Sequence, residues 1–232
     1  MTEPLKPFSE LFEDPDHAAG YAEGPARFMP GFRAVQRMAG VLIREAAPSD
    51  GHIMVHGAGG GLELEAFAVE NPGWSFTGVE PAAAMLEEAR KRLTPFSGRV
   101  AFHHGYADTA PAGPYDGATS LLTLHFLKAE PRRETVADIV RRLRPGAPFV
   151  AAHASFPQAP APRGQWLARH REFAIASGIA PETAEIGRQA LAERIDVLDP
   201  ETDAQILRGA GLRDVTLFYS AFTWRGWVGY KA

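Results

Sequence analysis

The chain has 232 residues, 45% of them hydrophobic, and a formal net charge of −4 from 24 Lys and Arg against 28 Asp and Glu. That is enough apolar material for one sizeable core, and there is no basic excess of the kind that draws a nucleic acid. The absence of cysteine removes disulfides, thiolate nucleophiles and cysteine metal sites, and it suits a cytoplasmic location.

No apolar run reaches the roughly 18 residues of a membrane span. The acidic, proline-bearing N-terminus, MTEPLKPFSELFEDPD, is unlike a signal peptide. Residues 1–47 read as a helical lead-in. Ser9 can cap a short helix that carries Leu11 and Phe12 on one face. Pro25 to Gly31 reads as a loop because two prolines interrupt it. Phe32 to Glu45 follows as a helix, with Val35, Met38, Ala39 and Leu42 at helical spacing, and Pro48-Ser49-Asp50-Gly51 turns the chain.

The stretch Ile53 to Gly61, IMVHGAGGG, reads as a buried strand entering a glycine-rich turn, with the helix LELEAFAVE directly behind it. Gly57, Gly59 and Gly61 are spaced G-x-G-x-G. Such a turn lets backbone approach a ligand, and the helix N-terminus offers unpaired N–H groups and a partial positive charge. After Asn71-Pro72-Gly73, a second strand from Trp74 to Val79 closes on Glu80, 19 positions after Gly61. That spacing suits an acid accepting hydrogen bonds from both ribose hydroxyls of a nucleoside.

The strand–helix rhythm continues. Pro81 sits at the first turn of a helix whose inner stripe is Met85, Ala89 and Leu93, ended by Pro95. Arg99 to His103 is a third strand, and Asp116 to His125 a fourth, buried one. Pro131 to Leu143 is a helix and Phe149 to His153 a fifth strand. Such alternation implies a parallel sheet with helices on both faces. Phe156 to Pro162 is a proline-broken loop, and helices near Gln165–Ser177 and Pro181–Arg194 make residues 156–198 a helical insertion on the substrate side. A helix at Pro200–Arg208 follows. Strands Arg213–Tyr219 and Phe222–Tyr230 are too close in sequence for a parallel crossover, so they form an antiparallel hairpin. The fold class is therefore α/β: a single domain over 1–232, a three-layer Rossmann-like sandwich with a mostly parallel seven-stranded sheet and an antiparallel C-terminal hairpin.

A parallel sheet closed by such a hairpin, with G-x-G-x-G, GVEP, PYDG and LRPG at these intervals, resembles the class I S-adenosylmethionine (SAM) dependent methyltransferases. The resemblance implies SAM as cofactor. It assigns Gly57, Ala58, Gly59 and Gly61 to the cofactor loop, Glu80 to the ribose, and Pro81 and Met85 to the start and apolar face of the next helix. Tyr106, Ala107 and Asp108 fall in the adenine loop, and Leu122, within the fourth strand, is assigned to the cofactor as well. MPGFRAVQRM and LLTLHFL are more narrowly similar to the carboxy-SAM synthase branch. Two departures stand out. Val55 occupies the place of the first-motif acid, and Tyr106 stands where Asp is usual, leaving Asp108 as the partner for the adenine amino group.

Methyl transfer from a sulfonium depends mostly on positioning, although a hydroxyl acceptor gains from a nearby base. His56, His125 and His153 fall at the ends of strands one, four and five, where ligands bind in such sheets, and His125 is the candidate base or substrate contact. A metal site is not expected, since no H-E-x-x-H occurs and His52 and His56 are too far apart along a strand to share an ion. Arg27, Arg33, Trp166, Arg169 and Arg171 are candidates for the acceptor pocket. Trp224 and Trp227 lie on opposite faces of the last strand. The expected partner is a small-molecule acceptor, with no membrane or nucleic acid, and a homodimer is one assembly the sequence allows. The leading expectation is a SAM-dependent methyltransferase. The alternatives are a carboxy-SAM synthase-like enzyme, a non-catalytic SAM-binding module, and a nicotinamide oxidoreductase. The last is disfavoured by the hairpin and by G-x-G-x-G in place of G-x-G-x-x-G.

Overall fold

Alternating strands and helices build the sheet from the middle outwards. The computed structural model describes residues 11–232; Ser9 and its capping role lie outside them. The strands are β1 (His52–His56), β2 (Ser75–Glu80), β3 (Val100–His104), β4 (Gly117–Leu121), β5 (Pro148–Ala154), β6 (Leu212–Ala221) and β7 (Trp224–Lys231). They lie in the order β3-β2-β1-β4-β5-β7-β6. All neighbours are parallel except β5–β7 and β6–β7, so the C-terminal hairpin inserts its second strand next to β5. The chain order reverses at the β1–β4 seam, which opens a crevice at the carboxyl ends of those strands.

The helices are α1 (Pro15–Gly20), α2 (Pro25–Phe28), α3 (Phe32–Arg44), α4 (Leu62–Glu70), α5 (Ala83–Arg92), α6 (Ala129–Arg141), α7 (Pro160–Ala176), α8 (Pro181–Glu193) and α9 (Pro200–Gly209). Successive strand residues point to opposite faces, and both faces are covered. Ile53 and Val55 pack with Val35, Ala39 and Ile43 of α3 and Leu64 and Phe67 of α4. Met54 packs on the other side with Val136, Ile139 and Val140 of α6 and Ile206 and Leu207 of α9. Trp224 joins the first core and Trp227 the second, so both indoles of the hairpin are buried, on opposite faces as their spacing requires. Among the described residues, no helix is long and apolar enough to cross a membrane.

Several local expectations are corrected. Pro25–Phe28 is helical rather than loop, because Pro25 occupies a first-turn position where no N–H is needed. Pro160 and Pro162 likewise open α7 instead of breaking the chain. Pro81 precedes the N-cap residue Ala82 and so stands outside the first turn of α5. The buried stripe of α3 is Val35, Gln36, Ala39, Gly40 and Ile43, while Met38 and Leu42 flank it, half-buried. The fourth strand stops at Leu121. Leu122 takes φ +58° and the chain continues as a 3-10 turn over Leu124–Phe126, so His125 is not a strand-end residue.

Beneath the second face, α6, α9 and β5 are joined through buried charges. Arg132 Nη1 donates to Asp203 Oδ1 at 2.6 Å, and His153 Nε2 lies 3.2 Å from the same oxygen. Arg132 and Asp203 side chains are each 1% exposed. Burial by itself would raise the Asp203 carboxyl, but His153, Arg132 and Ser155 outweigh it and hold the carboxyl down at about 2. Removing one member of a buried pair leaves the other charge uncompensated. Asp203→Ala should therefore lower stability by about 3–5 kcal/mol in urea unfolding. The stability that depends on Asp203 ionisation should be present above its unfolded value near pH 4 and be lost as pH falls through about 2.

Candidate active site

The site is built where β1 and β2 run out. At the end of β1 the N–H groups of Gly57 and Ala58 both donate to Val79 O, at 2.9 and 3.0 Å, which folds the loop back onto β2. Gly57 has φ +71°, and a Cβ there would fall 2.0 Å from Thr123 Oγ1. Only glycine satisfies both constraints. Gly61 serves packing: its φ is +80°, and an added Cβ would meet Ala89 Cα of α5 at 3.2 Å.

Glu80 ends β2 and ties this loop to the next helix. Its Oε2 accepts from Gly59 N at 2.9 Å and its Oε1 from Ala82 N at 3.0 Å. The residue is 8% exposed. Burial raises its carboxyl, partly offset by the Ala82 and Gly59 N–H groups. Each oxygen retains a lone pair for a further donor.

A cavity of about 410 Å³ opens over this loop. Of the residues selected from sequence, Gly57, Gly59, Glu80, Pro81, Met85, Tyr106, Ala107 and Leu122 line it. Ala58 stands behind the loop in the wall of a much smaller cavity. Gly61 and Asp108 line neither. Asp108 is exposed, and its Oδ1 accepts from Thr109 N at 2.9 Å, closing its own turn. Val55 is fully buried in the first core and presents no polar group.

Sequence reasoning missed Phe12, Tyr21, Phe126 and Arg194, which complete the larger cavity from distant segments. Tyr21 stands between two acids: burial, then the charges of Glu80 and Glu63, pushes its phenol up to about 12. No local pattern marks these residues, because the N-terminal segment and the α8 end reach the site only through the tertiary fold.

The three strand-associated histidines are separated. His56 lines the cavity, with Nδ1 3.1 Å from Ser120 Oγ, and burial pushes it down to about 4. His153 belongs to the Arg132–Asp203 cluster. His125 faces a second, apolar chamber of about 490 Å³, which shares Phe12, Tyr21, Leu122 and Phe126 with the first and also has His17, His170 and Trp224 in its wall. Ala154 N donates to His125 Nδ1 at 3.2 Å, so the neutral ring carries its proton on Nε2. Burial, then the charges of His153 and Arg132, holds this imidazole well below the usual histidine range, with Asp203 opposing. Arg27, Arg33, Trp166, Arg169 and Arg171 line neither cavity. Arg169 lies over the Trp166 ring instead, at 4.4 Å from its centroid.

Residues 54–149 match the family model described as "Methyltransferase domain". Among curated proteins, the carboxy-S-adenosyl-L-methionine synthase of Campylobacter lari is 27% identical over 146 residues, covering 62% of each chain. That of Erwinia tasmaniensis is 25% identical over 213 residues, covering 89% of this chain and 85% of the relative. Among solved structures, an O-methyltransferase family protein from Burkholderia thailandensis superimposes with a TM-score of 0.68 at 16% identity, over 97% of this chain and 62% of that one. The chain thus spans about three fifths of the C. lari relative and of this structure.

Burial also sets how the histidines respond to acid. His56 and His170 are pushed down to about 4 by burial, and His125 lies well below 6.5. Each stays neutral when folded but takes up a proton when unfolded below about pH 6.5. Their stabilisation should be complete above that pH and be lost as pH falls towards 4. In a proton NMR titration, the three ring signals should stay flat from about pH 8 to about pH 5. A midpoint near 6.5 for any of them would show that its ring is open to water.

Proposed function

We propose that this member of the class I SAM-dependent methyltransferase superfamily binds SAM in the 410 Å³ cavity and transfers its methyl group to a small, largely apolar molecule in the adjoining chamber. The observation that carries this reading is the shared wall. The glycine loop and Glu80 border one cavity, and the apolar chamber meets it across Phe12, Tyr21, Leu122 and Phe126.

The residues present fit the cofactor. A volume near 400 Å³ is within the range of small-molecule sites, roughly 300–1,000 Å³. Glu80 has unshared lone pairs for two ribose hydroxyls. Met85, Ala107 and the exposed ring of Tyr106 offer apolar faces to a flat base. When bound, SAM supplies a methyl group on a sulfonium whose leaving thioether is neutral, so little acid–base help is needed. The chain's own contribution is then to orient, to exclude water and to hold protons. Phe12, Phe126 and Trp224 give the chamber apolar walls. His125 stays neutral with its proton on Nε2, so it acts as a hydrogen-bond donor that positions a polar atom of the acceptor. Taking a proton at Nε2 would require the other tautomer and the loss of the Ala154 hydrogen bond.

A second reading, a carboxy-SAM synthase-like activity, is favoured by one observation. Arg194 is the one Arg or Lys side chain in the wall of the 410 Å³ cavity among the described residues. Its guanidinium can meet an added carboxylate.

Calorimetric titration with SAM, S-adenosylhomocysteine and NADH distinguishes the cofactor classes. Micromolar binding of the first two and none of NADH is expected. Glu80→Ala should weaken SAM binding at least about tenfold, as expected when a charge-assisted hydrogen bond is lost; unchanged affinity would remove its ribose role. Arg194→Ala should affect SAM and carboxy-SAM equally if methyl transfer is the activity. A selective loss of carboxy-SAM affinity would favour the second reading.

A further inference from the structure

Val55 deprives β1 of an acid, yet a carboxyl stands close beside it. Val55 and Thr119 are paired across β1 and β4, so their side chains leave the sheet on the same face. The Thr119 hydroxyl donates to Oε1 of Glu63, which comes from the first turn of α4. Glu63 is 6% exposed, and this hydroxyl is its one hydrogen-bond partner among the described residues. Burial pushes its carboxyl up to about 8, with Thr119 opposing. A buried acid so thinly partnered is unfavourable unless a cation joins it.

Gln36 of α3 faces the same place. It is 5% exposed, and its Nε2 has no hydrogen-bond partner among the described residues. Both side chains line a cavity of about 30 Å³ behind the glycine loop, and Gly57, Gly59 and Tyr21 belong to its wall and to that of the 410 Å³ cavity. One water-sized group needs roughly 10–15 Å³, so the space admits about two such groups reaching in from the adjoining cavity. Among the described residues, Glu63 has no cation beside it and Gln36 Nε2 no acceptor, an arrangement complementary to the two charged groups of a small zwitterion whose body stays outside.

We propose that Glu63 and Gln36 hold the α-amino-acid end of the cofactor, with Glu63 meeting the ammonium and Gln36 Nε2 donating to the carboxylate. The acid missing from the strand at Val55 is thereby supplied from the helix behind it. This inference rests on the SAM reading above.

The test is calorimetry on the full chain with SAM, with methylthioadenosine, which lacks the amino-acid end, and with decarboxylated SAM. Glu63→Gln, close to isosteric, should cut SAM affinity about tenfold or more while leaving methylthioadenosine within about twofold. Gln36→Met should weaken SAM but spare decarboxylated SAM, and it keeps the question answerable if Glu63→Gln does not fold. Wild-type SAM affinity in both variants, or equal losses for SAM and methylthioadenosine, would overturn the proposal and leave the SAM reading intact. If the wild-type chain binds neither SAM nor S-adenosylhomocysteine, the functional reading falls, and this inference with it.

Discussion

The Glu80 carboxylate is the constraint on which the site depends. One oxygen takes the N–H of Gly59 in the loop after β1, and the other takes that of Ala82 at the start of α5. Two strand ends, a glycine loop and a helix start are thereby held in one geometry by a single buried acid. Its position follows from the sheet. β2 lies parallel beside β1 in a register that pairs His56 with Val79, so the residue after Val79 emerges level with the loop. The carboxylate is satisfied by backbone donors before any ligand arrives, which preorganises the loop at little further cost in entropy.

The site divides into chambers because β4 ends early. Leu122 turns the chain at positive φ, and the 3-10 turn that follows sends Phe126 into the wall the two cavities share and His125 inward against Ala154 N. The same turn places Thr123 where only glycine fits at position 57. One local change of direction thus shapes the loop, forms part of the wall the two cavities share and sets the tautomer of His125 in the second chamber.

Buried ionisable groups are used in two ways. Arg132, Asp203 and His153 gather round Asp203 Oδ1 beneath the sheet and join three elements, although Asp203 Oδ2 and the His153 ring nitrogens have no hydrogen-bond partner among the described residues. Glu63 has one hydrogen-bond partner and Gln36 Nε2 none among the described residues. The first group lies in the packed interior between helices and sheet, where charge pairing supports the fold, while the second borders a cavity.

Local pattern sufficed wherever a structure depends on neighbours in sequence. The glycine spacing, the nine-residue helix at Leu62–Glu70, the strand ending in Glu80 and the closing hairpin are all visible in order along the chain, because hydrophobic periodicity and turn residues act over a few positions. The proline-led helices at Pro25 and Pro160 read as loops in the sequence, because proline both breaks and begins helices. His125 reads as a strand end there, because an apolar run carries no mark of where Leu122 reverses φ. The sequence by itself determined the alternating architecture, the glycine loop and the acid at the end of the next strand. Only the tertiary structure decided which distant side chains meet there. Tyr21, Gln36, Glu63 and Arg194 come from segments far apart in the chain, and their convergence follows from helix packing on a twisted sheet, which no local spacing encodes.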